Sequence, residues 1–181
     1  MTDVSLVITT YNDAEYLESA INSALNQSVP PSEIVVVDDG SKSDLAERIV
    51  TEKFSSEATI VRFFKKVNGG PSSARNFGLA QCQFDLVAFL DVDDVWLPRN
   101  LEHKLTAFVS CTENYFGVYG SFVMSDSTRP PKFRTVDGTI AAHWVGKPYG
   151  IPGGAPSYLF RTEALRTVGG FDETLTYNED F

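Results

Sequence analysis

The chain has 181 residues, 43% hydrophobic and 22% charged, which suits one folded domain with a real core and excludes a disordered chain. Its net charge of −9 excludes the basic field that non-specific nucleic-acid binding requires, so no nucleic-acid partner is expected. Anionic ligands stay open, because a metal and a few local groups can reverse the sign within one cleft.

Val4 to Thr10 is an apolar run with β-branched residues and reads as a buried strand. It is short and no basic region precedes it, so it is not a signal peptide. No stretch approaches the ~20 apolar residues of a membrane span, while peripheral membrane contact stays open. Asn12, with Glu15 three residues on, predicts the start of a helix by a capping box. Leu17, Ala20, Ile21, Ala24 and Leu25 give that helix one apolar face, and Pro30 and Pro31 are expected to stop it. Ile34 to Val37 predicts a second buried strand, ending in Asp38-Asp39-Gly40-Ser41. A short helix follows with Leu45, Ile49 and Val50 inward, then a third strand from Thr59 to Phe64.

Asn68-Gly69-Gly70-Pro71 reads as a turn into a helix from about Ser72 to Gln81. Leu86 to Leu90 predicts a fourth strand. Pro98 suits the first turn of a helix with Leu101, Leu105 and Phe108 on one face. Tyr115 to Met124 and Tyr158 to Phe160 predict further strands, and Thr162 to Val168 a short helix. The polar, Pro-rich stretch from Ser125 to Gly138 reads as a long loop rather than a domain boundary. Strands alternating with helices imply an α/β fold with a mostly parallel sheet covered on both faces. Ligands in such sheets sit beyond the carboxyl ends of the strands. Polar clusters fall at three of those ends: Thr9 to Asn12, Asp38-Asp39, and Asp91 to Asp94.

Each cluster has a chemical and a plain reading. Asp91, Asp93 and Asp94 crowd three carboxylates that resist ionising together, a repulsion that a hard cation such as Mg²⁺ or Mn²⁺ would relieve. The plain reading is a helix cap, which needs one acid and not three. Asp38 and Asp39 could accept hydrogen bonds from a nucleobase or ribose, or simply end the strand in an Asx turn. Gly69-Gly70 before a helix could bring backbone and helix dipole to an anion with Arg75 assisting, or form a surface turn. It is not a nucleotide-triphosphatase phosphate loop, because the Lys-Ser/Thr pair is absent. Nothing in the residues alone singles out Glu179 and Asp180 from other acids, and neither His103 nor His143 has a visible partner. Cys82 and Cys111 lack metal-type spacing and read as reduced, buried thiols of a cytoplasmic protein.

Taken in order, these pieces resemble the inverting glycosyltransferases of family 2. They are TTYN at Thr9 to Asn12, VVVDDGS at Val35 to Ser41, NGGPSSARNFG at Asn68 to Gly78 and FLDVDD at Phe89 to Asp94. FRTEALRTVGGFDE at Phe160 to Glu173 and NED at Asn178 to Asp180 complete the series, so the likeness covers nearly the whole chain. The resemblance implies a single GT-A domain over residues 1–181, a Rossmann-like three-layer α/β/α sandwich. It implies a donor site in which Thr9, Thr10, Tyr11, Asn12 and Gly70 line the nucleotide and Asp39 hydrogen-bonds the base. Arg75 would approach the nucleotide or its phosphates, and Asp91 the ribose or sugar. Asp93, assisted by Asp94, would bind a divalent cation, Mg²⁺ or Mn²⁺. Asp180 would be the general base, oriented by Glu179. The implied partners are a nucleotide-sugar donor, with UDP expected, and a glycan, lipid-linked or protein acceptor. The implied location is the cytoplasm or the inner face of its membrane.

Family members usually continue past the position of Phe181, so the chain is expected to lack part of its acceptor side. Three rival readings differ in class. A haloacid-dehalogenase-type phosphatase would make Asp91 a nucleophile but wants its acid motif on the first strand. A sugar nucleotidyltransferase wants a basic glycine-rich loop near the N-terminus, where TTYNDAEY stands. A nucleotide-binding module without transferase activity would share the fold and lack turnover.

Overall fold

Strands buried on both faces carry continuous apolar runs rather than alternating ones, and the strands at the centre of this fold are of that kind. The computed structural model describes residues 3–56, 58–110, 115–120 and 154–175. In chain order the elements are β1 (Val4–Thr10), a 3-10 turn (Ala14–Tyr16), α1 (Leu17–Leu25), β2 (Glu33–Asp38), α2 (Leu45–Lys53) and β3 (Ile60–Lys65). Then come α3 (Pro71–Gln81), β4 (Leu86–Asp91), α4 (Asn100–Val109), β5 (Gly117–Tyr119), a second 3-10 turn (Ala155–Ser157), β6 (Tyr158–Arg161) and α5 (Thr162–Thr167).

The strands form one sheet in the order β3-β2-β1-β4-β6-β5. The first four are mutually parallel; β6 runs antiparallel to β4 and to β5. Successive residues of a strand feed opposite layers. Leu6, Ile8, Ile34, Val36, Ala88 and Leu90 pack with α1, α2 and α4, while Val7, Val35, Val37, Val87 and Phe89 pack with α3 and α5. The expected three-layer α/β/α architecture is therefore observed. α3 lies very close to the sheet, since a Cβ on Gly78 would sit 2.4 Å from Cγ1 of Val7.

At the amino ends of the strands, away from the polar clusters, Glu33 is fully buried. It accepts from Ser5 Oγ at 2.6 Å, from Gln83 N at 2.7 Å and from the Arg62 guanidinium. Those bonds supply what a buried carboxylate needs.

Three expectations are corrected. Asn12 does not begin a helix: it takes φ 60, and the first helical turn starts at Ala14 with no side-chain cap bond. Asn tolerates the left-handed region better than other side-chain residues, and its polar groups are used elsewhere, as described below. The helix α1 ends at Leu25, several residues before Pro30, with the Asn26 side chain donating to the Asn22 carbonyl. The strand expected from Tyr115 to Met124 is Gly117–Tyr119, with residues 121–124 outside the described set. Asp180, Glu179, Cys111, His143 and the loop from Ser125 to Gly138 also lie outside the described residues. Among the described residues, no helix is long and apolar enough to cross a membrane.

Candidate functional site

The sheet order creates one crevice. From β1 the chain steps outward to β2 and β3, then returns across β1 to β4. The outward steps run through α1 and α2 on one face, and the return from β3 to β4 runs through α3 on the other, so the strand order reverses beside β1. A doubly wound sheet binds ligands at such a switch point. Thr9 pairs with Asp91 in register, and Thr10 with Asp38. The parallel register thus gathers the three polar clusters at one end of the sheet.

The β1 end is held by its own side chains. Asp13 accepts from Thr10 Oγ1 at 2.6 Å and from Tyr11 N at 2.9 Å. Asn12 N donates to Ser41 Oγ at 2.9 Å, and Asn12 Oδ1 accepts from Lys42 N at 3.1 Å. Asn12 thereby ties the β1 loop to the β2 loop, which is why it leaves helical geometry. Tyr11 stays half exposed beside them.

The two acids ending β2 have separate partners. Asp38 closes the Asx turn foreseen as the plain reading, accepting from Ser41 N at 2.8 Å. Asp39 is buried at 3% exposure and binds the glycine turn instead. Its carboxylate accepts from Gly69 N at 3.1 Å, Gly70 N at 2.8 Å and Lys66 Nζ at 2.6 Å. Gly70 has φ +88, a conformation that favours glycine, and a Cβ there would meet nothing within 4 Å. The turn before α3 is thus rigidly anchored on one side and open on the other.

Arg75, on α3, is buried at 4% exposure and donates to Asp91 Oδ1 at 2.9 Å. Its guanidinium also lies 5.6 Å from the Phe171 ring centre, and that ring packs edge-on against Phe89 at 5.0 Å. The neighbouring Asn76 clamps the turn that carries Phe171. Its Oδ1 accepts from Phe171 N at 2.8 Å, and its Nδ2 donates to Phe171 O and to Glu173, each at 2.8 Å. Gly170, at φ +77, lies so close that a Cβ would be 2.3 Å from Asn76 Oδ1.

Asp91, Asp93 and Asp94 share one turn, with Asp94 N donating to Asp91 O at 3.0 Å. Arg75 is bonded to Asp91; the side chains of Asp93 and Asp94 are exposed and make no ion pair or hydrogen bond among the described residues. Partial desolvation, then the charges of Asp91 and Asp93, raise the Asp94 carboxyl above its ordinary value. Oxygen-only donors and uncompensated negative charge are what Mg²⁺ or Mn²⁺ accept. The described residues fit a cation shared with a ligand rather than a closed protein cage, since no group of three or more is arranged to hold one unaided.

Thr9, Thr10, Tyr11, Asn12, Asp39, Gly70, Arg75, Asp91, Asp93 and Asp94 all fall at this end of the sheet. Lys66, Asn76 and Phe171 join them without having been singled out from sequence. Lys66 could have been found: in a parallel register Lys65-Lys66 must end beside Asp38-Asp39. Asn76 and Phe171 are far apart in the chain, and no local pattern pairs them.

The model of the glycosyl transferase family 2 matches residues 5–167. An uncharacterized glycosyltransferase from Rickettsia conorii is 35% identical over 68% of this chain and 20% of its own length. A Bacillus subtilis glycosyltransferase named for teichuronic acid biosynthesis, TuaG, is 34% identical over 72% of this chain and 51% of its own. The chain spans between about a fifth and about half of these two relatives. The fold matches Staphylococcus aureus TarS 1–349 in complex with UDP-GlcNAc at a TM-score of 0.73 and 24% identity, covering 99% of this chain and 51% of that one. It also matches the mannosyltransferase PcManGT from Pyrobaculum calidifontis, in complex with GDP-Man and Mn²⁺, at 0.69 and 17%, covering 98% and 49%. With a family match across almost its whole length, on a fold that brings the Thr9–Asn12, Asp38–Ser41, Gly69–Arg75 and Asp91–Asp94 segments to one sheet end, the chain belongs to glycosyltransferase family 2.

Proposed function

We propose that the chain binds a nucleoside-diphosphate sugar, UDP-linked, with a divalent cation, and that it transfers the sugar to an acceptor hydroxyl with inversion. The observation that carries this reading is the switch-point crevice, where among the described residues Asp93 and Asp94 have no cationic partner while Asp39 and Asp91 each have one. A cation arriving with a diphosphate would complete that end and leave the nucleoside against Thr9, Thr10, Tyr11, Asn12 and Gly70. The UDP-GlcNAc complex of the TarS fold neighbour and the Mn²⁺ complex of PcManGT support both choices.

The cation, held by Asp93 with Asp94, would offset charge on the departing diphosphate. Arg75 orients Asp91 toward the sugar or ribose and brings a further positive charge to the same crevice. Asp180, oriented by Glu179, takes the proton of the acceptor hydroxyl, whose oxygen attacks the anomeric carbon opposite the leaving group. The acceptor is a growing glycan, a lipid-linked sugar or a protein; the name of TuaG favours a glycan. The reaction belongs to the cytoplasm or the inner membrane face.

Calorimetric titration with UDP, with and without Mn²⁺, tests this on the chain and on Asp93→Ala. The expected result is Mn²⁺-dependent binding that weakens at least about tenfold in the variant. A folded chain that binds none of UDP, GDP and dTDP would overturn the donor site, and binding without turnover in a full-length protein would favour a nucleotide-binding module.

A further inference from the structure

Asp39 and Lys66 form a buried pair at the edge of the donor crevice. The Asp39 side chain is 4% exposed and that of Lys66 15%. A carboxylate offers about four lone-pair sites. Those of Asp39 meet Lys66 Nζ, Gly70 N and a bidentate contact from Gly69 N. The backbone of Asp39 is engaged too, donating to Thr10 O at 2.9 Å and accepting from Asn68 Nδ2 at 3.0 Å. The ammonium of Lys66 is divided between Asp39 and its own turn, where it donates to Val67 O at 2.8 Å. Gly69 makes this possible, since a Cβ there would lie 3.0 Å from Lys66 Nζ and 2.7 Å from Ser73 Oγ. The neighbouring Lys65–Asp38 pair is longer, 3.4 Å, with the lysine 44% exposed, so water screens it and it fixes little.

A lysine beside a nucleotide crevice is ordinarily taken for a phosphate ligand. Here its charge is already matched by a buried carboxylate. We infer that Lys66 is a positioning residue for the nucleoside end of the donor: it fixes Asp39 and the Val67–Gly70 turn as a preformed, electrically neutral wall. This rests on the donor reading proposed above. The crevice then has two distinct ends. At one, Asp39 and Lys66 cancel; at the other, Asp93 and Asp94 retain negative charge for a cation. Without Lys66 the buried carboxylate keeps only backbone donors, and the turn loses the contact that closes it.

The test compares UMP and UDP, each with Mn²⁺, by calorimetry on the wild-type chain, Lys66→Met, Lys66→Arg and Asp93→Ala. For a residue acting at the nucleoside end, Lys66→Met weakens UMP and UDP by the same factor, about tenfold. Lys66→Arg regains most of that, and Asp93→Ala weakens UDP more than UMP. A loss in Lys66→Met that is much larger for UDP than for UMP makes Lys66 a phosphate ligand and overturns the inference. Unchanged affinity for both also overturns it. Should Lys66→Met fail to fold, Lys66→Gln is read by the same ratio. Failure of the wild-type chain to bind either nucleotide sinks the donor reading and this inference together, whereas wild-type binding with a flat Lys66 result sinks this inference alone.

Discussion

Lys104 shows what a single side chain does to the stability of this fold. It is buried on α4, donates to Pro156 O at 2.9 Å and lies 5.2 Å from the Trp96 ring centre. Burial pushes its ammonium down to about 7. The unfolded chain holds that proton up to its ordinary value of 10.5, so between about 7 and 10.5 the unfolded state binds more protons. Stability therefore rises with pH across that window, and below about 7 the penalty is present in full. Lys104→Met is expected to be more stable than wild type at pH 7, with the gap closing by roughly 1 kcal/mol per pH unit toward pH 10. Chemical denaturation of both proteins at pH 7, 8.5 and 10 measures this; parallel curves at all three would refute it. Cys82 is opposite in sense: burial lifts its thiol to about 12, and it donates to Gly78 O at 3.3 Å, so the reduced, buried reading holds for this cysteine. Burial itself was foreseeable for Cys82, since a free cysteine without metal-type spacing behaves as a small hydrophobe. The burial of Lys104 was missed on residue type alone: it stands three after Leu101 and four before Phe108, within that apolar stripe, but lysine is almost never fully buried.

The four parallel strands were legible as elements because each is a mostly apolar run ending in polar residues, interrupted only by Ser5 in β1 and Arg62 in β3. Asn12 misled because the capping pattern and left-handed tolerance favour the same residue, and the choice was made by Ser41, which is distant in sequence. Strands β5 and β6 were expected, but not their antiparallel direction, because strand direction at a sheet edge depends on how the chain returns to β4. The position of α3 turns on one glycine. Alanine is normally favoured over glycine inside a helix by about 1 kcal/mol. At Gly78, contacts of 2.4 and 3.2 Å to Val7 and 3.3 Å to Val37 reverse that preference. Gly78→Ala is expected to destabilise by ~1–3 kcal/mol through overpacking, and Gly78→Ala with Val7→Ala to recover part of the loss. Urea unfolding of the single and double variants decides it; a stabilised Gly78→Ala would show that α3 is free to lift off the sheet.

The whole molecule carries excess negative charge, and part of it sits where a ligand would bring a cation. UDP and Mn²⁺ together, at about 100 times the dissociation constant, are expected to stabilise by ~2.7 kcal/mol. For a chain of this size that is a rise in Tm of about 5–10 °C. Either alone should give clearly less, and an equal shift with UDP alone would remove the cation from the donor reading. The order of motifs along the chain anticipated that the polar clusters of β1, β2 and β4 meet at one end of the sheet. It could not reveal that Arg75 and Asn76, adjacent on α3, face different tasks: one pairs with Asp91, the other clamps the Phe171 turn. That arrangement has a bearing on local unfolding. Phe171 N–H can exchange with solvent deuterium only when Asn76 lets go, and α3 need not melt for that to happen. When the turn swings out, the Phe171 ring leaves the Arg75 guanidinium and the Phe89 edge together. The deuterium uptake of one backbone amide therefore reports how tightly the Phe171 ring is held against Arg75 and Phe89.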